Sequence, residues 1–478
     1  MEKIPIAIAK GDGIGPEIMR ACLFILQEAG AELDYKEIEI GQAVYLRGIK
    51  TGIEPSVWDI LKDCRAFLKA PITTPQGGGY KSLSVTIRTT LGLFANVRPC
   101  VSYFPFINTK HPDMDVVIIR ENEEDLYCGI EYQQTPDVCE SLKLISRLGS
   151  EKIIRFAFEF AKLQSRKKVT CFTKDNILKI SDGMFHKIFD EIAKEYPDIL
   201  NDHLIVDIGT AKISDTPEDF DVVVMPNLYG DIVSDIAAQI TGSVGLCGSA
   251  NIGVKGSMFE AVHGSAPTIA NQDIANPSGL LHAAILMLVH ISQSATANLI
   301  HNAWLKTMEE GIHTQDIFNK KISKKCVGTQ EFAKCVVSNL GKEPTNLSKV
   351  HHTNPKEPYK HNPKVYPVLK RELVGVDITI FSKGNLNSFF DKVSHASEAS
   401  LHLKFISNRG VIIWPHLHPD TSLSDQYRIR FLSDDLKAIA QDVIIKLLQD
   451  FDRVGLDIIK TENLYTLDGI PKFSSVDI

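Results

Sequence analysis

Short apolar segments alternate with amphipathic ones from the start of the chain to about residue 340. Segments 116–119 and 222–225 are typical of buried strands, whereas apolar residues in 180–196 recur at helical spacing. Strands that alternate with helices form an open sheet covered by helices, because each apolar sheet face must be buried against another layer. The sequence therefore predicts an α/β core.

The pattern changes after Gly341. Residues 341–370 contain five prolines and little periodicity, which is typical of a linker or an extended segment. Beyond it the sequence predicts strands at 373–381, 401–406, 411–414, 427–432 and 456–459, and helices at 386–397 and 436–451. We interpret 343–370 as the linker and 371–478 as a small C-terminal α+β domain.

A glycine cluster, GDGIGP, lies at residues 11–16 between a predicted strand at 4–8 and a predicted helix. Gly11, Gly13 and Gly15 alternate, whereas a Rossmann fingerprint needs G-x-G-x-x-G. Pro16 suits the first turn of the helix. This segment alone favours a tight strand-to-helix turn over a dinucleotide-binding one.

The composition excludes several classes of protein. A net charge of −7 and a pI near 6.1 argue against a nucleic-acid-binding protein. The longest apolar stretch, 280–291, contains His282 and His290 and is too short to cross a membrane. The nine cysteines form no C-x-x-C pair, so we expect free thiols, no zinc site and a cytoplasmic location.

Polar residues that suit an anionic ligand follow apolar segments between residues 69 and 120. They are Thr73, Thr74, a glycine run at 77–79, Ser82, Arg88, Arg98 and Arg120. Guanidinium groups bind carboxylates through paired hydrogen bonds, and glycines let the backbone approach a ligand. The arrangement predicts a small polyanionic substrate, with surface arginines in salt bridges as the alternative.

Two aspartates, Asp231 and Asp235, occur four residues apart in NLYGDIVSD. On a helix beginning near Gly230 they share one face, where two like charges repel unless a cation lies between them. Carboxylate oxygens are ligands that Mg²⁺ and Mn²⁺ prefer. The pair therefore indicates a divalent metal site.

Two other stretches could carry chemistry. Tyr127 and Lys174 could form an acid–base pair if burial moves their pKa values toward neutrality, although a lone lysine after a strand is more often solvated. The small-residue loop 263–267, HGSAP, could wrap a nucleotide through its backbone N–H groups, or be an ordinary loop.

Taken in order, these motifs resemble the metal-dependent β-decarboxylating dehydrogenases, the isocitrate/isopropylmalate dehydrogenase family, over residues 1 to about 340. The motifs are GDGIGPE, the Thr-Thr-Pro loop with its three glycines, SLSVTIR, ANVRP, RENEEDLYCGIEY, TKDN, NLYGDIVSD and FEAVHGSAP. Within the family the isocitrate branch is the most similar. The C-terminal part is similar to that of the longer bacterial homodimeric members of Thermus type.

The resemblance implies a two-domain, non-Rossmann α/β fold with a cleft between the domains. Residues 1–95 and 246–342 would form a large domain on the cofactor side. Residues 96–245 would form a small domain that carries the dimer contact, the substrate site and the metal site. Two subunits would share each active site, and the partners would be isocitrate and a second copy, with no nucleic acid and no membrane.

The resemblance also implies roles for particular residues. Ser82, Ser84, Arg88, Arg98 and Arg120 would bind isocitrate; Asp207, Asp231 and Asp235 would bind Mg²⁺ or Mn²⁺; and Tyr127 and Lys174 would be the acid–base pair. Lys174 and Asp207 would come from the partner subunit. The coenzyme would contact Thr73, Thr74, His263, Gly264, Ser265, Ala266, Thr268, Ile269 and Asn276. The reaction would be oxidation of isocitrate and loss of CO₂ to give 2-oxoglutarate.

Two positions depart from the family pattern. Ser84 stands where the isocitrate branch usually has asparagine, so one substrate or nicotinamide contact could be lost, or could be made through a water. At the adenosine ribose, Thr268, Ile269, Gln315 and Asn319 stand where NADP-dependent members have tyrosines and cations. Because a 2′-phosphate carries nearly two negative charges, we expect NAD to be favoured, with NADP possible.

Other interpretations remain. One is a homoisocitrate or 3-isopropylmalate-type dehydrogenase, although Ser82 and SLSVTIR disfavour it. A second, non-enzymatic one is a regulatory subunit, which the complete set of catalytic residues disfavours. The C-terminal domain has no catalytic motif, and we expect it to add interface, with a ligand-binding regulatory role as the alternative.

Overall fold

The computed structural model describes residues 3–74, 82–354, 364, 366–396 and 400–474. Glycines 77–79 of the predicted anion-binding loop therefore lie outside the described residues. The chain divides into two compact units, Met1–Cys128 with Lys143–Pro363, and Gly129–Leu142 with Lys364–Ile478. No helix in the described part of the chain combines the length and apolar character needed to span a bilayer.

Strands and helices alternate along most of the first unit, as predicted. The strands of the chain are β1 Ile4–Ala9, β2 Leu33–Glu37, β3 Ala66–Lys69, β4 Ala95–Val101, β5 Asp115–Glu121, β6 Glu131–Gln133, β7 Cys139–Ser141, β8 Lys168–Thr173, β9 Leu200–Ile205, β10 Val222–Met225, β11 Gly248–Ile252, β12 Ser257–Ala261, β13 Ile312–His313, β14 Lys325–Cys326, β15 Arg371–Phe381, β16 His402–Asn408, β17 Val411–Trp414, β18 Gln426–Leu432, β19 Asp457–Leu467 and β20 Ile470–Pro471. The helices are α1 Gly15–Glu28, α2 Gln42–Leu46, α3 Pro55–Asp63, α4 Leu83–Thr90, α5 Arg147–Leu163, α6 Ser181–Ala193, α7 Val206–Asp215, α8 Asn227–Ile240, α9 Ser278–His290, α10 Ser294–Glu309, α11 Thr329–Ser338, α12 Leu386–His395 and α13 Gln441–Arg453.

A ten-stranded mixed sheet forms the centre of the first unit, in the order β2-β1-β3-β12-β11-β4-β5-β10-β8-β9. Towards both ends of the sheet, neighbouring strands run parallel. In the middle, antiparallel pairs join β12 to β11, β11 to β4 and β4 to β5. The long core of buried residues includes both faces of β5 and β10, whose apolar runs match the sequence prediction. The predicted α/β class is confirmed.

The glycine cluster makes a junction between three loops. Gly11 and Gly13 have φ values of +65° and +59°, and a Cβ atom on them would lie 2.1 Å and 2.0 Å from the carbonyl oxygens of Pro71 and Ser265. The N–H of Ile14 donates to that Ser265 carbonyl at 2.9 Å. The glycines are needed because backbone from two other loops touches the turn, which explains their alternating spacing.

The second unit contains a six-stranded antiparallel sheet, ordered β17-β16-β18-β15-β19-β20, with α12 and α13. The predicted hairpin of β16 and β17 is present. Helix α13 begins at Gln441 rather than at residue 436, because Asp435 and Leu436 have positive φ values and end a short turn there. Strand β19 is longer than predicted, and Ser397 at the end of the predicted helix lies outside the described residues.

The hairpin β6–β7 is part of the second unit, although it lies far away in sequence. The Thr135 hydroxyl donates to the Asp425 carboxylate at 2.5 Å, and both side chains are buried. Glu140 accepts from the Gln426 amide at 2.6 Å and pairs with Lys460 at 2.7 Å. These contacts hold the hairpin on the C-terminal sheet.

Three histidines cluster where the segment containing His352 contacts α10. His282 donates from Nδ1 to the Leu246 carbonyl at 2.6 Å, and His301 shares a hydrogen bond with His352 at 3.0 Å. The imidazole centroids lie 5.2 Å apart for His282 and His301, and 5.3 Å apart for His301 and His352. Burial lowers the pKa of all three, that of His282 to about 4.

This cluster predicts that stability falls in mild acid. In the unfolded chain His282 binds a proton below about pH 6.5, whereas in the folded chain it does so only near pH 4. The free energy of unfolding therefore falls as the pH drops from the first pKa to the second. From pH 7.5 to pH 5.0, we expect His282 alone to lower the free energy of unfolding by about 2 kcal/mol. Urea unfolding at both pH values measures it.

The matched comparison is His282→Gln, which keeps a donor for Leu246 but does not titrate. Its pH slope should be flatter than that of the parent by the same amount. Equal slopes in the parent and in His282→Gln would contradict the assignment.

Candidate active site

Three buried arginines face a pocket of about 280 Å³ over the middle of the large sheet. Arg88 lies in α4, Arg98 in β4 and Arg120 near the end of β5. Ser82 and Ser84 also line this pocket, and Ser82 is the N-cap of α4, where its hydroxyl accepts from the Val85 N–H at 3.5 Å. The structure therefore brings the three predicted arginines together with Ser82 and Ser84 at one site, whereas Thr73 and Thr74 are not among the residues that line it.

Two pocket residues were missed by the sequence reasoning. Lys69, at the end of β3, is 1% exposed, and its ammonium lies 2.7 Å from the Glu260 carboxylate on β12. The same carboxylate accepts from Arg88 at 2.7 Å and from the Asn251 amide at 2.9 Å. Burial alone would raise the pKa of Glu260, but Lys69 and Arg88 hold it far below its usual range.

This buried charge network has a clear role. Glu260 balances two cations and fixes the direction of both, so that a ligand meets preoriented positive charges. The available sequence signal was a charged residue inside an otherwise apolar strand, at Lys69 and again at Glu260. Such a residue needs a buried partner, but the sequence does not say which one.

The carboxylates of α8 lie opposite the other two arginines. Arg98 donates to Asp235 at 3.0 Å and to Asp231 at 3.3 Å, and Arg120 pairs closely with Asp231. Asn227 accepts two hydrogen bonds from Arg120, at 2.8 Å and 3.0 Å. Helix α8 begins at Asn227, one turn earlier than expected from the sequence, and it places Asp231 and Asp235 on one face.

Their environments move the two aspartate pKa values in opposite directions. Burial would raise the pKa of Asp231, but Arg120, Arg98 and Tyr127 lower it below its usual value. The pKa of Asp235 is raised, by burial and by the Asp231 charge, against the effect of Arg98. Asp231 is therefore an anion at neutral pH and an available oxygen ligand.

Tyr127 reaches the same aspartate. Its hydroxyl donates to Asp231 at 2.5 Å, and the Arg120 guanidinium lies 4.7 Å from its ring centroid. Burial raises the pKa of Tyr127, partly offset by Arg120. The tyrosine is therefore protonated at neutral pH and can deliver a proton into the pocket.

The donor set fits a hard divalent cation. Asp231 and Asp235 offer carboxylate oxygens on one helix face, and the partners that satisfy them are cations and a hydroxyl donor. Oxygen ligation of this kind suits Mg²⁺ or Mn²⁺ rather than a soft metal. A bound ion would replace part of the positive charge that Arg98 and Arg120 supply here.

Lys174 and Asp207 lie elsewhere in the chain. The Lys174 ammonium pairs with Asp207 at 2.8 Å, and the Asp207 side chain is 69% exposed. Neither residue is among the described side chains that line the pocket. The structure therefore does not bring these two predicted residues to the pocket.

The predicted coenzyme residues form loops that start at the rim of this pocket. His263 and Gly264 line it, and burial lowers the pKa of His263. The Thr73 hydroxyl hydrogen-bonds to that of Ser265 at 2.8 Å, which joins the Thr73–Thr74 loop to HGSAP. Further along, Ala266 has a left-handed backbone, Thr268 is exposed, Ile269 is half-buried, and Asn276 donates to Asp316 at 3.0 Å.

The chain matches two protein families. Residues 5–336 match the isocitrate/isopropylmalate dehydrogenase family, and residues 371–477 match the C-terminal domain of bacterial isocitrate dehydrogenase. A Rickettsia bellii protein named isocitrate dehydrogenase [NADP] is 53% identical over 476 residues, covering 99% of both chains. One of the same name from Thermus thermophilus is 41% identical over 89% of this chain and 86% of its own.

A solved structure agrees. A protein from Thermus thermophilus superposes with a TM-score of 0.93 at 39% identity, covering 98% of this chain and 95% of that one. This likeness extends over both units of the chain.

The comparisons correct one expectation. NAD was favoured because no cation follows the HGSAP loop, but Rickettsia and Thermus relatives at 41% to 53% identity are named as NADP enzymes. The prediction that NAD is favoured is therefore wrong. Its error was to judge a phosphate site from a few positions in sequence, whereas a phosphate can also be held by backbone N–H groups of a loop.

Proposed function

The chain belongs to the isocitrate/isopropylmalate dehydrogenase family, and on that premise we propose that it oxidatively decarboxylates isocitrate to 2-oxoglutarate and CO₂ with NADP. The observation that carries the proposal is the pocket itself, in which Arg88, Arg98 and Arg120 converge opposite Asp231 and Asp235. A substrate with several carboxylates matches the arginines, and an oxygen-bound divalent ion matches the aspartates.

Arg88, Arg98 and Arg120 bind and orient the carboxylates of isocitrate. Glu260 holds the Arg88 fork at 2.7 Å, and Asn227 holds that of Arg120, so neither has to be ordered when the substrate arrives. Ser82 and Ser84 face the same space and supply hydroxyl donors. When bound at Asp231 and Asp235, Mg²⁺ or Mn²⁺ supplies Lewis-acid stabilisation of negative charge on the reacting oxygen.

Tyr127 delivers the proton that completes 2-oxoglutarate after CO₂ has left. The support is its position in the pocket, its hydroxyl contact with Asp231 and its protonated state at neutral pH. Lys174 comes from the partner subunit and supports this proton transfer. Asp207, also from the partner subunit, completes the set of metal ligands. The half-exposed lysine and the exposed aspartate are accessible to a second copy.

Steady-state kinetics test the function and the coenzyme together. We expect turnover of isocitrate with Mn²⁺, and kcat/KM for NADP above that for NAD by at least about tenfold, which corresponds to about 1.4 kcal/mol. Homoisocitrate and 3-isopropylmalate serve as control substrates. A preference for either of them, or no turnover with any, would overturn the proposed substrate, and equal use of both coenzymes would overturn the choice of NADP.

Shared active sites predict complementation between two inactive variants. Lys174→Met and Asp231→Asn each remove one residue of the proposed composite site, so each homodimer should be inactive. A randomly mixed population should recover about a quarter of the wild-type activity, because half of its dimers are mixed and each holds one intact site.

The measurement uses two affinity tags, so that mixed dimers are isolated before assay. Each variant mixed with a differently tagged copy of itself gives the background. Isolated mixed dimers without activity, or a native mass equal to one chain, would contradict a shared site.

A further inference from the structure

A second cluster of metal-binding side chain types lies where β8, α6 and β9 meet. Asp175 follows β8, His186 lies on α6 and His203 on β9. One ligand atom from each can be chosen so that all three atoms are within 4.8 Å of one another. Among the described residues, this is the one His, Cys, Asp and Glu group with such spacing, and it does not line the active-site pocket.

The contacts within the cluster are close. The Asp175 carboxylate lies 2.6 Å from His186 Nδ1 and 3.9 Å from His203 Nε2. Asp190, one helical turn after His186, has an oxygen 3.7 Å from His186 Nε2. The two imidazoles are stacked with centroids 3.5 Å apart, and the Thr173 hydroxyl contacts His203 Nε2 at 2.8 Å.

The charges of this cluster do not balance. Asp175 and Asp190 have no lysine or arginine partner within the part of the chain that the structure describes, and their ion pairs are only with the histidines. Two imidazoles in contact oppose a proton charge on both, and burial together with His186 lowers the pKa of His203. Two carboxylates therefore face at most one positive charge, which favours a bound cation.

We propose that Asp175, His186 and His203 bind one divalent transition metal ion of the Zn²⁺ class, while Asp190 adds negative charge from the other edge of the His186 ring. Two imidazole nitrogens and one carboxylate oxygen, with water as the fourth ligand, are a set that Zn²⁺ accepts in tetrahedral sites, whereas Asp231 and Asp235 offer oxygen only. The two sites thus differ in metal preference. The side chains of His186, His203 and Asp175 are 27%, 16% and 21% exposed, which leaves a path for the ion.

Binding changes the local contacts in a defined way. The ion replaces the hydrogen bond between Asp175 and His186 and opens the stack, because each ligating ring must point a nitrogen at the metal. It also joins α6 and β9 to the turn after β8, which contains Lys174. The ion therefore stabilises this turn.

Zinc titration of the full-length chain tests the site. The double variant Asp231→Asn with Asp235→Asn lacks the oxygen-only site. Zinc that this variant still binds is assigned to Asp175, His186 and His203. We expect one zinc ion per chain by calorimetry, with a raised melting temperature. Adding His203→Ala should weaken zinc affinity by at least about 100-fold, since losing even an outer partner of a metal ligand costs about 10- to 100-fold.

The controls make each outcome decisive. His111→Ala removes a half-buried histidine beside a single carboxylate, Glu218, and should leave zinc affinity unchanged. His186→Gln changes a second proposed ligand, which lies on a helix surface. It measures the same loss of zinc affinity if His203→Ala does not fold. Cobalt(II) should give the visible spectrum of a four-coordinate, nitrogen-bound ion. No zinc binding by the double variant, unchanged affinity in both histidine variants, or an all-oxygen cobalt spectrum would overturn the proposal.

Discussion

We expect the Asp231→Asn variant to turn over isocitrate at least about 10³-fold more slowly than the parent at saturating Mn²⁺, a loss of about 4 kcal/mol of transition-state stabilisation. Asp231 contacts Arg98, Arg120 and Tyr127 at once, so its charge organises the pocket as well as offering a metal ligand. Asparagine has nearly the same shape but lacks the charge, and it is a weaker ligand for a hard cation.

The measurement is kcat against Mn²⁺ concentration, with circular dichroism to show that the variant is folded. Asp59→Asn, at an exposed pair with Lys62 on α3, is the control and should behave as the parent. Wild-type activity that survives excess EDTA, or an Asp231→Asn enzyme of normal kcat, would show that the metal assignment is wrong.

The second large effect is expected at Glu260. Changing it to glutamine leaves Lys69 and Arg88 buried without a compensating charge, and breaking a buried pair in this way costs about 3 to 5 kcal/mol. We expect the free energy of unfolding in urea to fall by that amount. We also expect kcat/KM for isocitrate to drop, because Arg88 loses the carboxylate that orients it.

A double variant separates charge from shape. Lys69→Met removes one of the two cations, so Glu260→Gln with Lys69→Met should lose less stability than the sum of the single changes. Glu331→Gln breaks the exposed pair with Lys325 and should leave the free energy of unfolding almost unchanged. Additive losses, or a Glu260→Gln protein as stable as the parent, would show that the network contributes little.

Local sequence patterns predicted much of the fold. Strands β5 and β10 were identified within a few residues, because a run of apolar residues is decided by burial on both sheet faces. The pair Asp231 and Asp235 was placed on one helix face from its spacing alone. In contrast, the start of α13 was missed, since two residues with positive φ interrupt an otherwise helical pattern.

Contacts between segments far apart in the chain were harder to predict from the sequence. The sequence analysis identified no hairpin at β6 and β7, whose Thr135 and Glu140 contact residues beyond 420. The link between Lys69, Arg88 and Glu260 joins three elements up to 191 residues apart (260 minus 69). No local pattern contains that information.

The sequence by itself determined the kinds of elements, their order, and the types of side chain available for anion and metal binding, because periodicity and residue chemistry are local properties. Only the tertiary structure decided which charges meet. Burial and distance set the pKa values of Asp231 and Glu260, and both depend on strands and helices brought together from far along the chain. For the same reason the GDGIGP turn was recognisable as a turn, but its glycines were explained only by the Pro71 and Ser265 carbonyls against which they lie.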